Sequence, residues 1–278
     1  MKVFDKHGTF LYPLDLFTDN ELDAVEDYIQ DVATDQEDNI YVAIQPRDKK
    51  KKAMVKVYNG QAEKQHEFYL TEAEVQILSI VVDDDKNILV SLLPPPIEPE
   101  EGLIEVDYTV QVYENRGKLL DSIKILNRTL RGTFPCYCQT AAGAGRVFVY
   151  DSSHTVLYIY GAQEKGGSLA LEKRMDLNES SRALFGLAMT FHGASGYLFI
   201  ASFDEAYQVS MYTKEGKFVR RITIETIPMF LWKIKRILVT IDGGVAVALE
   251  YQPKDEEDSD ESEDEDEDEE SKVKVVVL

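Results

Sequence analysis

The chain has 278 residues, of which 44% are hydrophobic and 10% aromatic, so it can bury a sizeable core and is not disordered as a whole. Its formal net charge is −21, but 14 of its 51 acidic residues lie between Asp255 and Glu270, a segment with no basic residue. Removing those 14 leaves 37 acidic against 30 basic residues, a net charge of −7. This balance disfavours general binding to nucleic acid, which depends on phosphate neutralisation.

The cysteines and the N-terminal sequence bear on the cellular compartment. Cys136 and Cys138 are two residues apart, which places them on the same face of a strand and disfavours a disulfide between them. Met1-Lys2-Val3 leads into a strand pattern and not into a signal peptide, and no segment approaches the roughly 20 apolar residues of a membrane span. We therefore expect a cytoplasmic protein with structural thiols and no membrane association.

The most informative feature is an internal repeat of roughly 50 residues. Its marker is a short alternating run that ends in an aromatic residue, and it occurs at Lys2–Phe4, Val55–Tyr58, Val110–Tyr113, Leu157–Tyr160 and Val209–Tyr212. Four of these runs are followed by a polar turn with a glycine, namely Gly8, Gly60, Gly117 and Gly216. A strand-based repeat of this length is typical of a propeller or a solenoid.

Each repeat also contains two apolar runs joined by an acidic or glycine-rich turn, a pattern that predicts a β-hairpin. The hairpins cover Val32–Ala43, Ile80–Val90, Cys138–Tyr150, Leu187–Ile200 and Ile237–Ala248. The runs are almost continuously apolar, as expected for strands buried on both faces. We call these two strands a and b, and the marker strand c.

A fourth strand, d, follows the marker turn, as at Phe10–Tyr12, Glu67–Leu70, Leu119–Ile123 and Phe218–Ile222. Four strands per repeat predict the blade of a β-propeller. The pattern gives 21 strands, more than five blades need and fewer than six need, so the fold class is an all-β propeller of five or six blades. Either the last hairpin shares a blade with residues 2–14, so that Val3-Phe4 and Val273–Val277 compete for one position, or a six-bladed ring is incomplete.

Two segments fall outside the blade pattern. Residues Phe17–Tyr28 are acidic with a helical period and predict a short surface helix. Residues 254–271 hold no apolar side chain and repel one another, which predicts a disordered acidic segment. The expected domains are therefore a propeller over 1–253, the acidic segment over 254–271 and a terminal strand of the propeller over 272–278.

No residue pattern indicates an enzyme. The expected mouths of the first strands carry Asp31, Gln76, Cys136, Gly186 and Lys235, a poor set of ligands for a divalent metal. Asp151-Ser152-Ser153-His154 contains the residue types of a catalytic triad, but four consecutive residues in a turn cannot converge as a triad does. We expect no catalytic residue, no metal, no cofactor and no small-molecule substrate.

The segment Gly145–His154, continuing into Leu157–Tyr160, resembles the NHL repeat, as does Phe134-Pro135 before it. Gly186–Ala188 and Val209–Tyr212 fit the next unit of that repeat, and the similarity is closest over 134–177. The chain is thus similar to the propellers of tripartite-motif ubiquitin ligases. The resemblance implies a propeller that recruits a protein or RNA. Two cysteines and four histidines are too few for a RING, which needs about eight zinc ligands, so the ligase module would come from another protein.

The variable connections all fall between strands b and c or between d and a, which open on the same face of a propeller. Binding loops on a rigid scaffold vary in this way. The sequence therefore predicts a non-enzymatic platform that binds a protein partner, with RNA binding as the alternative, disfavoured by net charge. The expected partner-binding residues are Arg47, Lys49, Lys50, Lys51, Lys52, Arg128, Arg131, Arg182, Met229 and Phe230.

Overall fold

The computed structural model of the protein describes residues 2–4, 10–13, 27–48, 50–93, 103–130, 138–151, 155–162, 169–177, 185–203, 206–224, 232–239, 244–251 and 273–277. These residues form strands and turns, and none of them belongs to a helix, so none could cross a membrane as a helical span. The chain divides into two compact units, one of residues 1–147 and 160–171 and the other of residues 148–159 and 172–278.

The described residues contain 21 strands, the number that the repeat pattern predicts. A two-stranded hairpin comes first, formed by β1 (Lys2–Phe4) and β2 (Phe10–Pro13). Sheet 1 follows, with β3 (Asp27–Thr34), β4 (Ile40–Pro46), β5 (Met54–Tyr58) and β6 (Lys64–Tyr69) in spatial order. Sheet 2 contains β7 (Gln76–Val82), β8 (Ile88–Leu93), β9 (Leu103–Tyr113) and β10 (Leu119–Leu130), again in spatial order.

The later sheets repeat this meander. Sheet 3 contains β11 (Cys138–Gly143), β12 (Arg146–Asp151), β13 (Val156–Ala162) and β14 (Leu169–Asp176). Sheet 4 contains β15 (Phe185–His192), β16 (Tyr197–Phe203), β17 (Tyr207–Thr213) and β18 (Phe218–Ile224). Sheet 5 has three strands, β19 (Trp232–Val239), β20 (Val245–Tyr251) and β21 (Val273–Val277).

These sheets confirm the predicted fold class, an all-β propeller, and give it five blades. In sheet 5 the position beside β20 is taken by β21, with Val247 opposite Val276 and Leu249 opposite Lys274. β1 pairs only with β2 among the described strands. Val3-Phe4 and Val273–Val277 are the two segments predicted to compete for this position. In the structure the C-terminal segment, β21, occupies it.

The core lies between successive sheets of each unit, where the apolar second strands are buried. All seven residues of β4 are buried, and Val55 and Val57 of β5 pack with Ile77, Ile88 and Val90 of sheet 2. In the second unit Val245, Val247 and Leu249 pack with residues of sheet 4. Each such side chain contributes about 1.5–3 kcal/mol when fully buried, so these clusters fix how the strands of each unit stack.

The first strands of sheets 1, 2, 4 and 5 share one irregularity that the sequence did not reveal. A β-bulge interrupts the register at Ile29/Asp31, Ile77/Ser79, Gly186/Ala188 and Ile234/Arg236. A bulge redirects the side chain that follows it. In sheet 1 this side chain is Asp31, whose Oδ2 accepts a hydrogen bond from the Ile80 amide of sheet 2 at 2.9 Å. The carboxylate considered above as a metal ligand is therefore engaged in joining two sheets.

Five hairpin turns share one backbone pattern, in which the first amide donates to the fifth carbonyl and the fourth amide donates to the first carbonyl. They are Asp35–Asn39, Asn59–Glu63, Asp83–Asn87, Glu114–Lys118 and Thr213–Lys217. The fourth residue of each turn is left-handed, with φ between 62° and 86°. In the second of these turns that residue is Ala62, at φ 65°, so Gly60 marks the repeat without supplying its left-handed position.

The last two residues of the predicted surface helix are described, whereas the predicted acidic segment is not. Asp27 and Tyr28, at the end of the expected helix, lie in β3. The helix prediction is therefore wrong at these two residues, because the strand begins earlier than its periodicity suggested. The rest of Phe17–Tyr28 up to residue 26 lies outside the described residues, and so does 254–271.

Candidate functional site

Some of the predicted partner-binding residues lie in a connection between strands, as expected, but one lies within a strand. Arg47, Lys50, Lys51 and Lys52 lie in the connection between β4 and β5 and are exposed. Arg128 lies within β10, opposite Glu105 of β9, so its placement in a connection was wrong, because the fourth strand of sheet 2 extends to Leu130. The remaining predictions fall outside the described residues: Lys49, Arg131, Arg182, Met229 and Phe230.

The β4–β5 connection folds back on its own aspartate. The main-chain carbonyl of Asp48 accepts a hydrogen bond from the Lys51 amide at 2.9 Å. The side-chain Oδ1 of Asp48 accepts another from the Lys50 amide at 3.0 Å. Asp and Asn stabilise turns in this way because their short side chains reach amides two residues ahead. The Lys50 and Lys51 side chains are left pointing into solvent on a defined backbone.

A second connection, between β6 and β7, lies against the first. Lys52 Nζ donates to the Thr71 carbonyl at 2.8 Å, and the Leu70 amide donates to the Ala53 carbonyl at 2.8 Å. The b–c connection and the d–a connection of sheet 1 therefore lie on one face, as the propeller pattern predicts. Lys52 is already committed to this contact, so it is a weaker candidate for a partner than Lys50 or Lys51.

Buried polar side chains hold the second connection in place. Gln45, at the end of β4, donates from Nε2 to the Val75 carbonyl at 3.1 Å and accepts from the Ile77 amide at Oε1 at 2.8 Å. A buried amide that satisfies two backbone groups is costly to lose, because both groups would be left unpaired. Gln45 thus fixes the point at which the chain enters sheet 2.

Sheet 2 supplies a second support. The Tyr113 hydroxyl accepts a hydrogen bond from the Thr71 amide at 3.1 Å and donates to Gln111 Oε1, while Gln111 Nε2 donates to Glu72 Oε1 at 3.0 Å. Burial raises the pKa of Tyr113, partly offset by its hydrogen bonds with Thr71. The hydroxyl therefore stays protonated and can serve as donor and acceptor at the same time.

The result is a charged surface on a fixed backbone, which we call the loop surface and define by its described residues 47–48, 50–53 and 70–75. Its exposed charged side chains are Arg47, Asp48, Lys50, Lys51, Lys52, Glu72 and Glu74. Arginine anchors interfaces and lysine mainly steers an oppositely charged partner. The described residues of this surface carry both signs of charge, with the cations in the β4–β5 connection and two carboxylates in the β6–β7 connection.

Sequence reasoning missed the residues that support the loop surface, namely Gln45, Gln111 and Tyr113. A weak signal was present, because a glutamine within an otherwise apolar strand must find a partner when buried. The partners lie about 30 and 39 residues away in sequence, at Val75 and Glu72, and only the fold brings them together.

Some residues considered for catalysis or metal binding have structural roles, as Asp31 does, and others, such as Cys136, lie outside the described residues. Asp151 is buried at the end of β12, whereas 152–154 are among the residues not described. Asp83 caps its own turn through the Asp85 and Asn87 amides. Within the described ranges no three His, Cys, Asp or Glu side chains are grouped so as to hold a metal ion.

No protein-family model matches the sequence, and no curated protein sequence is similar to it. A solved structure from Bacteroides caccae, of a protein of unknown function, resembles the chain with a TM-score of 0.50 and 15% identity over 81% of this chain and 74% of its own. The β-propeller domain of Myceliophteria thermophila Cps50 (Swd1) gives 0.47 and 9% over 87% and 83%. The C-terminal WD40 domain of Sif2 gives 0.47 and 10% over 88% and 71%. At these identities the likeness concerns the fold alone.

Proposed function

We propose that the protein is a non-enzymatic platform that binds a protein partner through the loop surface. The observation that carries the proposal is the exposure of Arg47, Lys50 and Lys51 on a backbone fixed by Asp48, by the Lys52–Thr71 contact and by the buried Gln45. A preorganised backbone lowers the entropy lost on binding. Long exposed cations would attract an acidic segment of the partner.

The resemblance to NHL propellers of tripartite-motif ligases gives this proposal a specific form. In it, the chain recruits a substrate for a ubiquitin ligase supplied by another protein, in the cytoplasm. Arg131, Arg182, Met229 and Phe230 would extend the same surface, and Lys49 would add a further cation to the β4–β5 connection.

The test is a pair of charge-matched variants of the full chain. One replaces Arg47, Lys50 and Lys51 with alanine, and the control replaces the exposed Lys214, Lys217 and Arg220 with alanine. Proximity labelling in cells should lose a defined set of partners in the first variant and keep it in the second, while both retain the wild-type melting temperature. A partner set that is unchanged, or lost equally in both variants, would remove the loop surface as the binding site.

RNA binding is the second candidate, and the clustering of three exposed cations in one connection favours it. Phosphate contacts make affinity depend steeply on salt. A filter-binding titration of the full chain with single-stranded RNA at two salt concentrations would test it. Tight binding that weakens with salt and is lost in the Arg47, Lys50 and Lys51 variant would favour RNA over a protein partner.

A further inference from the structure

Among the described strands, none takes the fourth position at the outer edge of sheet 5. In sheets 1–4 a fourth strand lies beside the third, as the antiparallel β18 lies beside β17. In sheet 5 the third strand is β21, and no described strand pairs with its outer edge. Among the described residues, the main-chain N–H and C=O groups along that edge have no partner strand, and an edge of this kind can accept one.

The side chains of β21 do not protect this edge. Fourth strands elsewhere carry charges, such as Lys64 and Glu67 in β6 or Arg220 and Arg221 in β18, and charges on an edge discourage further pairing. β21 reads Val-Lys-Val-Val-Val and has a single charge at Lys274. Valine is among the residues that favour strands most, so this edge is suited to accept a strand.

One face of sheet 5 is also apolar and open. Val277 lies opposite Ala246 of β20, which lies opposite Leu238 of β19, so the three side chains share a face. Val277 is 69% exposed, Val275 61% and Leu238 55%. The opposite face is packed, with Val247 and Leu249 buried and Val276 against them. A fourth strand with apolar residues opposite Val275 and Val277 would extend the open face.

The charge next to β21 indicates which strand fits. The segment Asp255–Glu270, with 14 carboxylates, ends three residues before Val273. A second copy of the chain would carry a second such segment, and two chains of this charge repel each other. A basic partner would instead be attracted. In an antiparallel pair the C-terminal end of the incoming strand lies beside Val273, the end of β21 that follows the carboxylates in sequence.

We propose that β21 is a docking edge for an extended segment of a partner protein, a β-strand with alternating apolar residues followed directly by a run of lysine or arginine. Main-chain hydrogen bonds supply the affinity and the alternating side chains supply the register, as in other cases of strand addition. The acidic segment raises the rate of association and selects the orientation. This surface belongs to the second unit and is independent of the proposed role of the loop surface.

The experiment uses the full chain and three synthetic peptides. The probe is a five-residue strand of alternating valine and threonine followed by four lysines; one control places the four lysines first, and another replaces the central valine of the probe with proline. Fluorescence anisotropy should show the probe binding at least about tenfold more tightly than either control, because the controls reverse the polarity or break the strand. Equal binding of all three would mean attraction to the acidic segment alone and would overturn the proposal.

Two protein variants locate the edge. Val275→Lys should weaken probe binding by about tenfold or more, whereas Val219→Lys on β18, also exposed, should leave it unchanged. If Val275→Lys does not fold, Val277→Lys serves in its place. The proposal is overturned if the wild-type chain does not bind the probe. It is also overturned if the chain is a dimer that Val275→Lys converts to a monomer, because a second copy then occupies the edge.

Discussion

Two hairpin turns of the first unit have the same backbone but owe it to different causes. In Asp83–Asn87 the Asp83 amide donates to the Asn87 carbonyl at 3.0 Å and the Lys86 amide to the Asp83 carbonyl at 3.1 Å. In Glu114–Lys118 the corresponding distances are 2.9 and 2.8 Å. The left-handed residue is Lys86 in the first turn and Gly117 in the second.

The first turn is fixed by its own side chains and the second by a neighbouring strand. Asp83 accepts hydrogen bonds from the Asp85 amide and from the amide and side chain of Asn87, at 2.7–2.9 Å. No side chain of Glu114–Lys118 has such a role among the contacts described, but a Cβ on Gly117 would overlap the Phe68 ring of β6. A glycine in a repeated turn can thus reflect lack of space as well as backbone conformation.

The largest effect should come from adding a side chain at Gly117, where the Phe68 ring leaves no room for one. Gly117→Ala adds a methyl group at φ 86° and forces Phe68 to move, so we expect a loss of about 2–4 kcal/mol of unfolding free energy. Chemical denaturation of the full chain measures it. The matched change Ala62→Gly, at the same position of another turn, should alter stability by less than about 1 kcal/mol. A mild effect of Gly117→Ala would mean that conformation alone selects glycine here.

Removing the capping side chain should have the next largest effect. Asp83→Ala leaves two turn amides and the Asn87 side chain without their acceptor, which we expect to cost about 1–2 kcal/mol. Glu114→Ala, the first position of the other turn, should change the unfolding free energy by less than about 0.5 kcal/mol. Equal losses in the two variants would contradict the distinction between a capped turn and a packed turn.

A third turn, Asp35–Asn39, adds a contrast in pKa. Burial would raise the pKa of Asp35, but hydrogen bonds from Asn39, Glu37 and Tyr41 outweigh it and leave the pKa below its ordinary value. At Asp83 burial prevails over the hydrogen bonds from Asn87 and Asp85 and raises the pKa. The Tyr41 hydroxyl donates to Asp35 at 3.0 Å, whereas the equivalent position after Asp83 is Leu89, which cannot donate.

These opposite shifts predict opposite responses to acid. A lowered pKa means that Asp35 stabilises the fold above its unfolded pKa near 3.8 and loses this contribution as the pH falls through the folded pKa. A raised pKa means that wild type gains stability at Asp83 as the pH falls through the folded pKa towards 3.8. Denaturation between pH 7 and pH 4 should therefore show the unfolding free energy of wild type rising relative to that of Asp83→Asn as the pH falls. The difference in unfolding free energy between wild type and Asp35→Asn should stay constant over this range and change only at lower pH.

Carboxyl NMR titration provides the control for this assignment. Tyr41→Phe removes one donor to Asp35 and should raise the pKa of that carboxyl while leaving Asp83 unchanged. If Asp35 and Asp83 have the same pKa in wild type, the hydrogen bond from Tyr41 does not make the pKa of Asp35 differ from that of Asp83.

The smallest effect concerns the ion pair that joins the two capped turns. Lys86 Nζ lies 2.6 Å from Glu37 Oε2, and both side chains are exposed. Exposed pairs are screened by water and salt and contribute little. Lys86→Met and Glu37→Gln should each leave the denaturation midpoint where it is, at low and high salt alike; a shift that disappears in salt would show that the pair matters.

The sequence predicted the strands and their grouping because apolar alternation and short polar turns are local signals. The five markers ending in an aromatic all fall in described strands, from Phe4 in β1 to Tyr212 in β17. Which residue of a turn is left-handed was harder to predict from the sequence, because Gly60 stands out as a glycine whereas the left-handed residue is Ala62. The extent of β10 was underestimated because pairing with the long β9 carries Arg128 beyond the apolar run.

The candidate site was predictable only in part. The lysines of the β4–β5 connection stand out as a charged run between two strands. The contacts that order them do not, because Gln45, Gln111 and Tyr113 act on residues of another connection. Polar residues in a strand indicate that partners exist, but the partners are set by the packing of successive sheets.

The attachment of β21 has a consequence for the order in which the second unit assembles. Most consecutive strands of a sheet are joined by a few residues, but 21 residues, 252–272, separate β20 from β21. Closing a longer loop costs more chain entropy, although the cost grows slowly, and carboxylates along the loop oppose compaction. Pairings of long sequence separation form late. Sheet 5 should thus be the last blade to gain its third strand, after β19 and β20 have joined sheet 4.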